Sequence, residues 1–245
     1  MAYAIQWLRS LAHIIVIYIG MAVIGLLWFP WAVFSERGAR SGCKMWCRLV
    51  LWTARWMIGL RYEIRGTPPE DEVMIAAKHQ SFLDIILIFY AVPAGKFIMK
   101  RELMYAPIIG QYGLRIGCVP VDRGKRGQAI KKMVADVEKG RARPGQLIIY
   151  SQGTRVNPGV KVPYKIGTAV LFSEIGHDCV PVATNAGVYW QRKGIYRKPG
   201  VAVVEFLPRI KAGMPKDEFL RTLEAEVETA SDKLLDEAGF RHAED

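Results

Sequence analysis

Apolar and polar positions divide this chain into two regimes. From Ser10 to Ser35 there is no Lys, Arg, Asp or Glu. The run LAHIIVIYIGMAVIGLLWFPWAVFS exceeds the ~20 residues needed to cross a hydrocarbon core. Tyr18, Trp28 and Trp31 are aromatics of the interfacial kind, and Pro30 is expected to bend or end the helix near Phe29. A cleaved signal peptide would be shorter and would be followed by a small-x-small site. A long buried core helix shows the same pattern, and His13 with Pro30 leaves room for a hairpin or a half-inserted helix. The next stretch, CKMWCRLVLWTARWMIGLRY (43–62), interleaves Trp46, Leu49, Trp52 and Trp56 with Lys44, Arg48 and Arg55. Such a helix lies in the headgroup layer or packs on a folded domain.

Beyond residue 62 short apolar runs alternate with amphipathic ones. VMIAA (73–77), QLIIY (146–150), CVPVA (179–183) and VAVVEFL (201–207) read as buried strands. QAIKKMVADVEKG (128–140) has helical spacing with Gly140 as its C-cap, KIGTAVLFSEIG (165–176) ends at Gly176, and a last helix presents Phe219, Leu220, Leu223, Val227 and Leu234 on one face. The expected fold class is α/β, a mixed β-sheet covered by helices with an N-terminal membrane-associated helical segment. The division is residues 1–62 as membrane-anchoring helices and 63–245 as the α/β domain.

Composition sharpens this picture. A hydrophobic share of 51% beside 23% charged residues fits two unlike regions better than one uniform fold. The net charge of +11 calls for an anionic partner, nucleic acid or membrane. Nucleic acid is disfavoured, because no recognisable module is present and the aromatics concentrate in the membrane segment. Arg37, Arg40, Lys44 and Arg48 follow the apolar run and Arg9 alone precedes it, which places the large domain on the cytoplasmic face, with a bacterial inner membrane as the expected location. The four cysteines form no CxxC pair, so neither a metal site nor a disulfide framework is expected.

The candidate chemistry starts in AAKHQSFLD (76–84). Ser81 and Asp84 have capping-box spacing, which alone explains the aspartate. On one continuous helix, residues five apart lie roughly 140° from each other and do not meet. If His79 sits in the loop before the helix and Asp84 in its first turn, the carboxylate can hold one ring nitrogen and leave the other to take a proton from a hydroxyl. Spacing alone leaves both readings open.

Three further blocks accompany it in order: GCVPVDR (117–123), YSQGTR (150–155) and CVPVA (179–183). Together with HQSFLD they resemble the HxxxxD glycerolipid acyltransferases, specifically those that acylate 1-acylglycerol-3-phosphate. The resemblance implies transfer of a fatty acyl group from a thioester to the free hydroxyl of lysophosphatidic acid. His79 and Asp84 would be the catalytic pair, with no acyl-enzyme, metal or cofactor. Acyl-CoA or acyl carrier protein would be the donor, and membrane lipids the surroundings. Arg123 and Arg155 are the expected phosphate ligands, since guanidinium binds phosphate bidentately, with Gly153, Thr154 and Lys100 beside them. Gln152 stands where the family has a glutamate and is expected to shape the site without acting as acid or base; Ser151 stands where it has a proline. Pro120 points to an edge strand or a bulge. Residues 96–132, with nine basic and two acidic residues, suit an anionic membrane or an acidic carrier. Another lysophospholipid or lyso-aminolipid acceptor, or a non-catalytic membrane-anchored lipid-binding protein, accounts for part of the same pattern. A hydrolase is disfavoured because no G-x-S-x-G elbow is present.

Overall fold

The computed structural model describes residues 2–121, 135 and 144–240. Arg123 and the expected helix at 128–140 therefore lie outside the described residues, apart from Ala135. The N-terminal apolar run forms α1 (Ala2–Phe34), and the amphipathic stretch forms α2 (Glu36–Thr53), closed by a π-turn (Ala54–Ile58). Pro30 does not end α1, which continues to Phe34. The expected 43–62 helix also ends early: Gly59 adopts φ +70°, and Leu60 to Tyr62 are already strand.

A seven-stranded sheet follows among the described residues: β1 (Leu60–Arg65), β2 (Met74–Ala77), β3 (Lys96–Lys100), β4 (Val119–Val121), β5 (Leu147–Tyr150), β6 (Cys179–Thr184) and β7 (Gly200–Phe206). The spatial order is β1-β7-β6-β2-β5-β3-β4, parallel at every pairing except β6 with β7. This is the mixed sheet expected, and β4, which carries Pro120, is an edge strand where a missing N–H costs least. Further helices among the described residues are α3 (Phe82–Ala91), α4 (Ile109–Arg115), α5 (Ile166–Ile175), the single turn α6 (Ala186–Tyr189) and α7 (Lys216–Glu237), with a 3-10 helix at Arg101–Tyr105.

Strand alternation divides the core. Ile75, Ala77, Ile148, Val180 and Val182 face α1–α4, whereas Met74, Ala76, Leu147 and Cys179 face α5 and α7, where Phe172 stacks on Phe219 at 3.8 Å. Lys44 of α2, read from sequence as one cation of a positive flank, turns inward and donates to the carbonyls of Phe89, Tyr90 and Val92. It satisfies acceptors that the C-terminus of α3 leaves without helical partners.

Helix α1 buries mainly small or polar residues (Ser10, His13, Gly25 and Ala32, with Ile17 among them) against the protein and exposes Leu8, Ile15, Ile19, Leu26, Leu27 and Phe34. That pattern is inverted from the one water selects for a surface helix. Among the described residues it is the one helix long and apolar enough to cross a membrane.

Candidate active site

Strands β2 and β5 are parallel neighbours in register, Ala77 opposite Tyr150. The loops that leave their carboxyl ends therefore start side by side, and these loops carry HQS and SQGTR. Backbone bonds fix both: Lys78 N–H donates to Val182 O (3.0 Å), Val156 N–H to His79 O (2.8 Å), and Lys165 N–H to Ser151 O (2.8 Å).

Ser81 is the N-cap of α3, with extended backbone, and its Oγ accepts from Leu83 N–H (3.1 Å). Asp84, fully buried, completes the capping box. Its Oδ2 accepts from the N–H groups of Gln80 (2.8 Å) and Ser81 (2.7 Å). The other oxygen, Oδ1, lies 2.9 Å from His79 Nδ1. A carboxylate offers only acceptors, so Nδ1 carries the proton and Nε2 keeps its lone pair. The chain reversal at the helix start brings the two side chains together as a continuous helix cannot, so Asp84 both caps α3 and holds the His79 ring.

The imidazole is stacked on Tyr150 (3.9 Å between centroids, 18°), and Tyr150 in turn on Phe97 (6.3 Å, 13°). Burial, and next the Asp84 carboxylate, hold the Tyr150 phenol well above its ordinary pKa. It stays protonated across the physiological range.

His79 and Tyr150 face a half-open apolar cavity of about 510 Å³ lined by residues of α1–α4 and β3. Its walls include Met21, Ile24, Trp46, Phe82, Ile86, Phe89, Met99 and Tyr112; Thr154, Arg155 and Arg192 line it beside the dyad. Part of the wall is built by close approach. A Cβ on Gly25 would lie 2.7 Å from Ile108 Cγ2, and one on Gly42 would lie 3.0 Å from Tyr112 Cε1. Tyr112 Oη donates to Gly25 O at 2.7 Å. Ile108 has φ +63°, the one positive value outside glycine among the described residues.

The other residues singled out from sequence are distributed as follows. Arg155 lies over the Phe82 ring (5.8 Å). Gly153 adopts φ +70°, the left-handed conformation that a turn at this point gives to glycine. Gln152 is buried, with Nε2 donating to Val162 O (3.4 Å). Lys100 lines the cavity but is exposed and paired with Glu102 at 2.9 Å. Arg192 was not legible: it follows Trp190 in an unremarkable loop, and only the tertiary fold brings it beside Arg155, whose carbonyl it binds at 3.0 Å. Cys118 and Cys179 are buried. Burial raises the Cys118 thiol to about 11 and pushes Cys179 higher still, which excludes a thiolate nucleophile at either.

The chain resembles known proteins in both sequence and fold. The family model described as Acyltransferase matches residues 61–185. The 1-acyl-sn-glycerol-3-phosphate acyltransferase of Pseudomonas aeruginosa is 28% identical over 213 residues, covering 85% of this chain and 82% of that protein. The alpha enzyme of that name from Mus musculus is 27% identical over 193 residues, 76% of this chain and 68% of that one. The crystal structure of the 1-acyl-sn-glycerophosphate (LPA) acyltransferase PlsC from Thermotoga maritima shares the fold, with a TM-score of 0.79 at 16% identity, over 96% of this chain and 99% of that one. The family match spans half of the chain, and the chain belongs to the acyltransferase family.

Proposed function

We propose that this acyltransferase esterifies the free hydroxyl of 1-acylglycerol-3-phosphate with a fatty acyl group from a thioester, giving phosphatidic acid. The observation that carries the reading is the His79–Asp84 pair opening on an apolar cavity that Arg155 and Arg192 also line. His79 Nε2 takes the acceptor's hydroxyl proton as the oxygen attacks the thioester carbonyl. Asp84 holds the tautomer and stabilises the imidazolium, which returns the proton to the departing thiolate as the tetrahedral intermediate collapses. No group on the enzyme is acylated in this scheme, and it calls on no cofactor beyond the donor.

Arg155, supported by Arg192 and the 153–154 turn, binds the acceptor phosphate, with Arg123 and Lys100 assigned to the same ligand from sequence. The cavity holds an acyl chain. Acyl-CoA and acyl carrier protein both fit the donor role. The inverted pattern of α1 supports insertion of residues 10–35 into the bilayer as part of an anchoring segment (1–62), with the catalytic domain (63–245) at the cytoplasmic face.

The test is phosphatidate formation by detergent-purified protein, wild type beside His79→Ala, with each donor tried. A loss of at least ~10²-fold in the variant is expected for removal of a general base. An equally active variant refutes the assignment of His79. A folded wild type inert on lysophosphatidate but active on another lyso-lipid refutes the acceptor.

A further inference from the structure

Between β2 and His79 stands Lys78, whose side chain is 1% exposed. Strand alternation sends it away from His79, through to the face covered by α5 and α7. There its Nζ meets Glu228 Oε2 of α7 at 2.5 Å, and the second oxygen of Glu228 accepts from Tyr164 Oη at 3.0 Å. Burial, reinforced by the Glu228 carboxylate, holds the Tyr164 phenol far above its ordinary pKa, so it remains a donor.

Glu228 thus joins two segments that belong to the site. Lys78 is covalently next to His79. Tyr164 ends the loop that begins with Ser151 and carries Gln152, Gly153, Thr154 and Arg155; its neighbour Lys165 is bonded back to Ser151 O. Stability alone does not call for such a network, since a buried ion pair can often be replaced by apolar side chains of similar volume at no cost. The backbone bond from Val156 N–H to His79 O already ties the two loops at one point on the cavity side; the directional charged hydrogen bonds of Glu228 add a second tie from the far face, which an apolar contact would not supply.

We infer that Lys78, Glu228 and Tyr164 form a positioning bracket which, from the far face of the sheet, sets the distance between the His79–Asp84 dyad and the phosphate-binding turn at 152–155. The inference rests on the proposed reading of His79 as the base. None of the three residues faces the substrate cavity; they act through the loops they hold.

The test compares wild type with the triple variant Lys78→Met/Glu228→Leu/Tyr164→Phe, which removes every polar member and so leaves no buried group unpaired. Three readouts are taken: thermal unfolding, kcat and acceptor KM, and the His79 Nδ1 proton resonance, assigned with His79→Asn. The bracket predicts an unfolding temperature close to wild type, kcat reduced at least ~10-fold as expected for a sub-ångström misplacement, a raised acceptor KM and a displaced resonance. A folded triple variant with wild-type kinetics and an unmoved resonance overturns it. If the triple variant does not fold, the nearly isosteric Glu228→Gln is read by the same criteria. Should wild type make no phosphatidate, the acceptor reading fails alone, because the resonance needs no substrate and still decides the bracket.

Discussion

Asp84→Asn isolates the tautomer argument from the fold. In the native site Oδ2 takes two backbone N–H groups and Oδ1 takes His79 Nδ1–H. An asparagine has one acceptor end and one donor end. Turning the NH₂ toward the backbone would leave the Gln80 and Ser81 N–H groups buried and unpaired, at about 1–3 kcal/mol each. The amide oxygen therefore stays on the helix start, and the NH₂ faces Nδ1. The imidazole must then protonate at Nε2, and the lone pair that accepts the substrate proton is gone. The corresponding loss of tautomer is worth about 10⁴-fold in kcat, or about 5 kcal/mol of barrier. Stability changes little by comparison. Three charged hydrogen bonds become neutral, at about 1 kcal/mol each, which lowers Tm by about 6–12 °C for a chain of this size. The assay is phosphatidate formation from radiolabelled lysophosphatidate beside a thermal melt. A folded Asp84→Asn protein keeping more than about a tenth of wild-type kcat would refute the argument, since a structural cap would tolerate the amide.

Three further outcomes are expected. Arg155→Ala should raise acceptor KM by about 10- to 100-fold, from the 1.5–3 kcal/mol of a charged hydrogen bond, and depress kcat far less; steady-state kinetics over lysophosphatidate concentration checks this. Cys43→Phe, on the cavity wall, should shift donor preference toward shorter chains and cost about 5- to 100-fold on long ones, from 1–3 kcal/mol of overpacking; competition between thioesters of graded length reads it directly. Iodoacetamide should leave the native protein unlabelled at Cys43 and Cys118 as pH is raised from 7 to 9. Burial pushes these thiols up to about 12 and about 11, so the reactive thiolate is scarce throughout that range; mass spectrometry of labelled peptides is the measurement.

The sequence by itself determined much of the secondary structure and of the chemistry. Period-2 and unbroken apolar runs marked β2, β5, β6 and β7, because strands buried on both faces must be apolar throughout. Capping-box spacing placed the start of α3 at Ser81, because that signal is local: three residues satisfy one another's backbone groups wherever the helix lies. Pro120 marked an edge. The strands LRYEIR and KFIMK were missed, since each carries charges and owes its conformation to a neighbour across the sheet.

The meeting of His79 with Asp84, permitted but not required by spacing, was settled by the direction in which the chain turns after β2. The roles of Lys44, Arg192 and Lys78 belong to the tertiary structure altogether. A lysine reads alike in sequence whether it flanks a membrane, caps a distant helix or crosses the sheet to Glu228, 150 positions away. Charge is a property of the residue, but its partner is fixed only when the sheet order brings β2, β5 and β6 side by side.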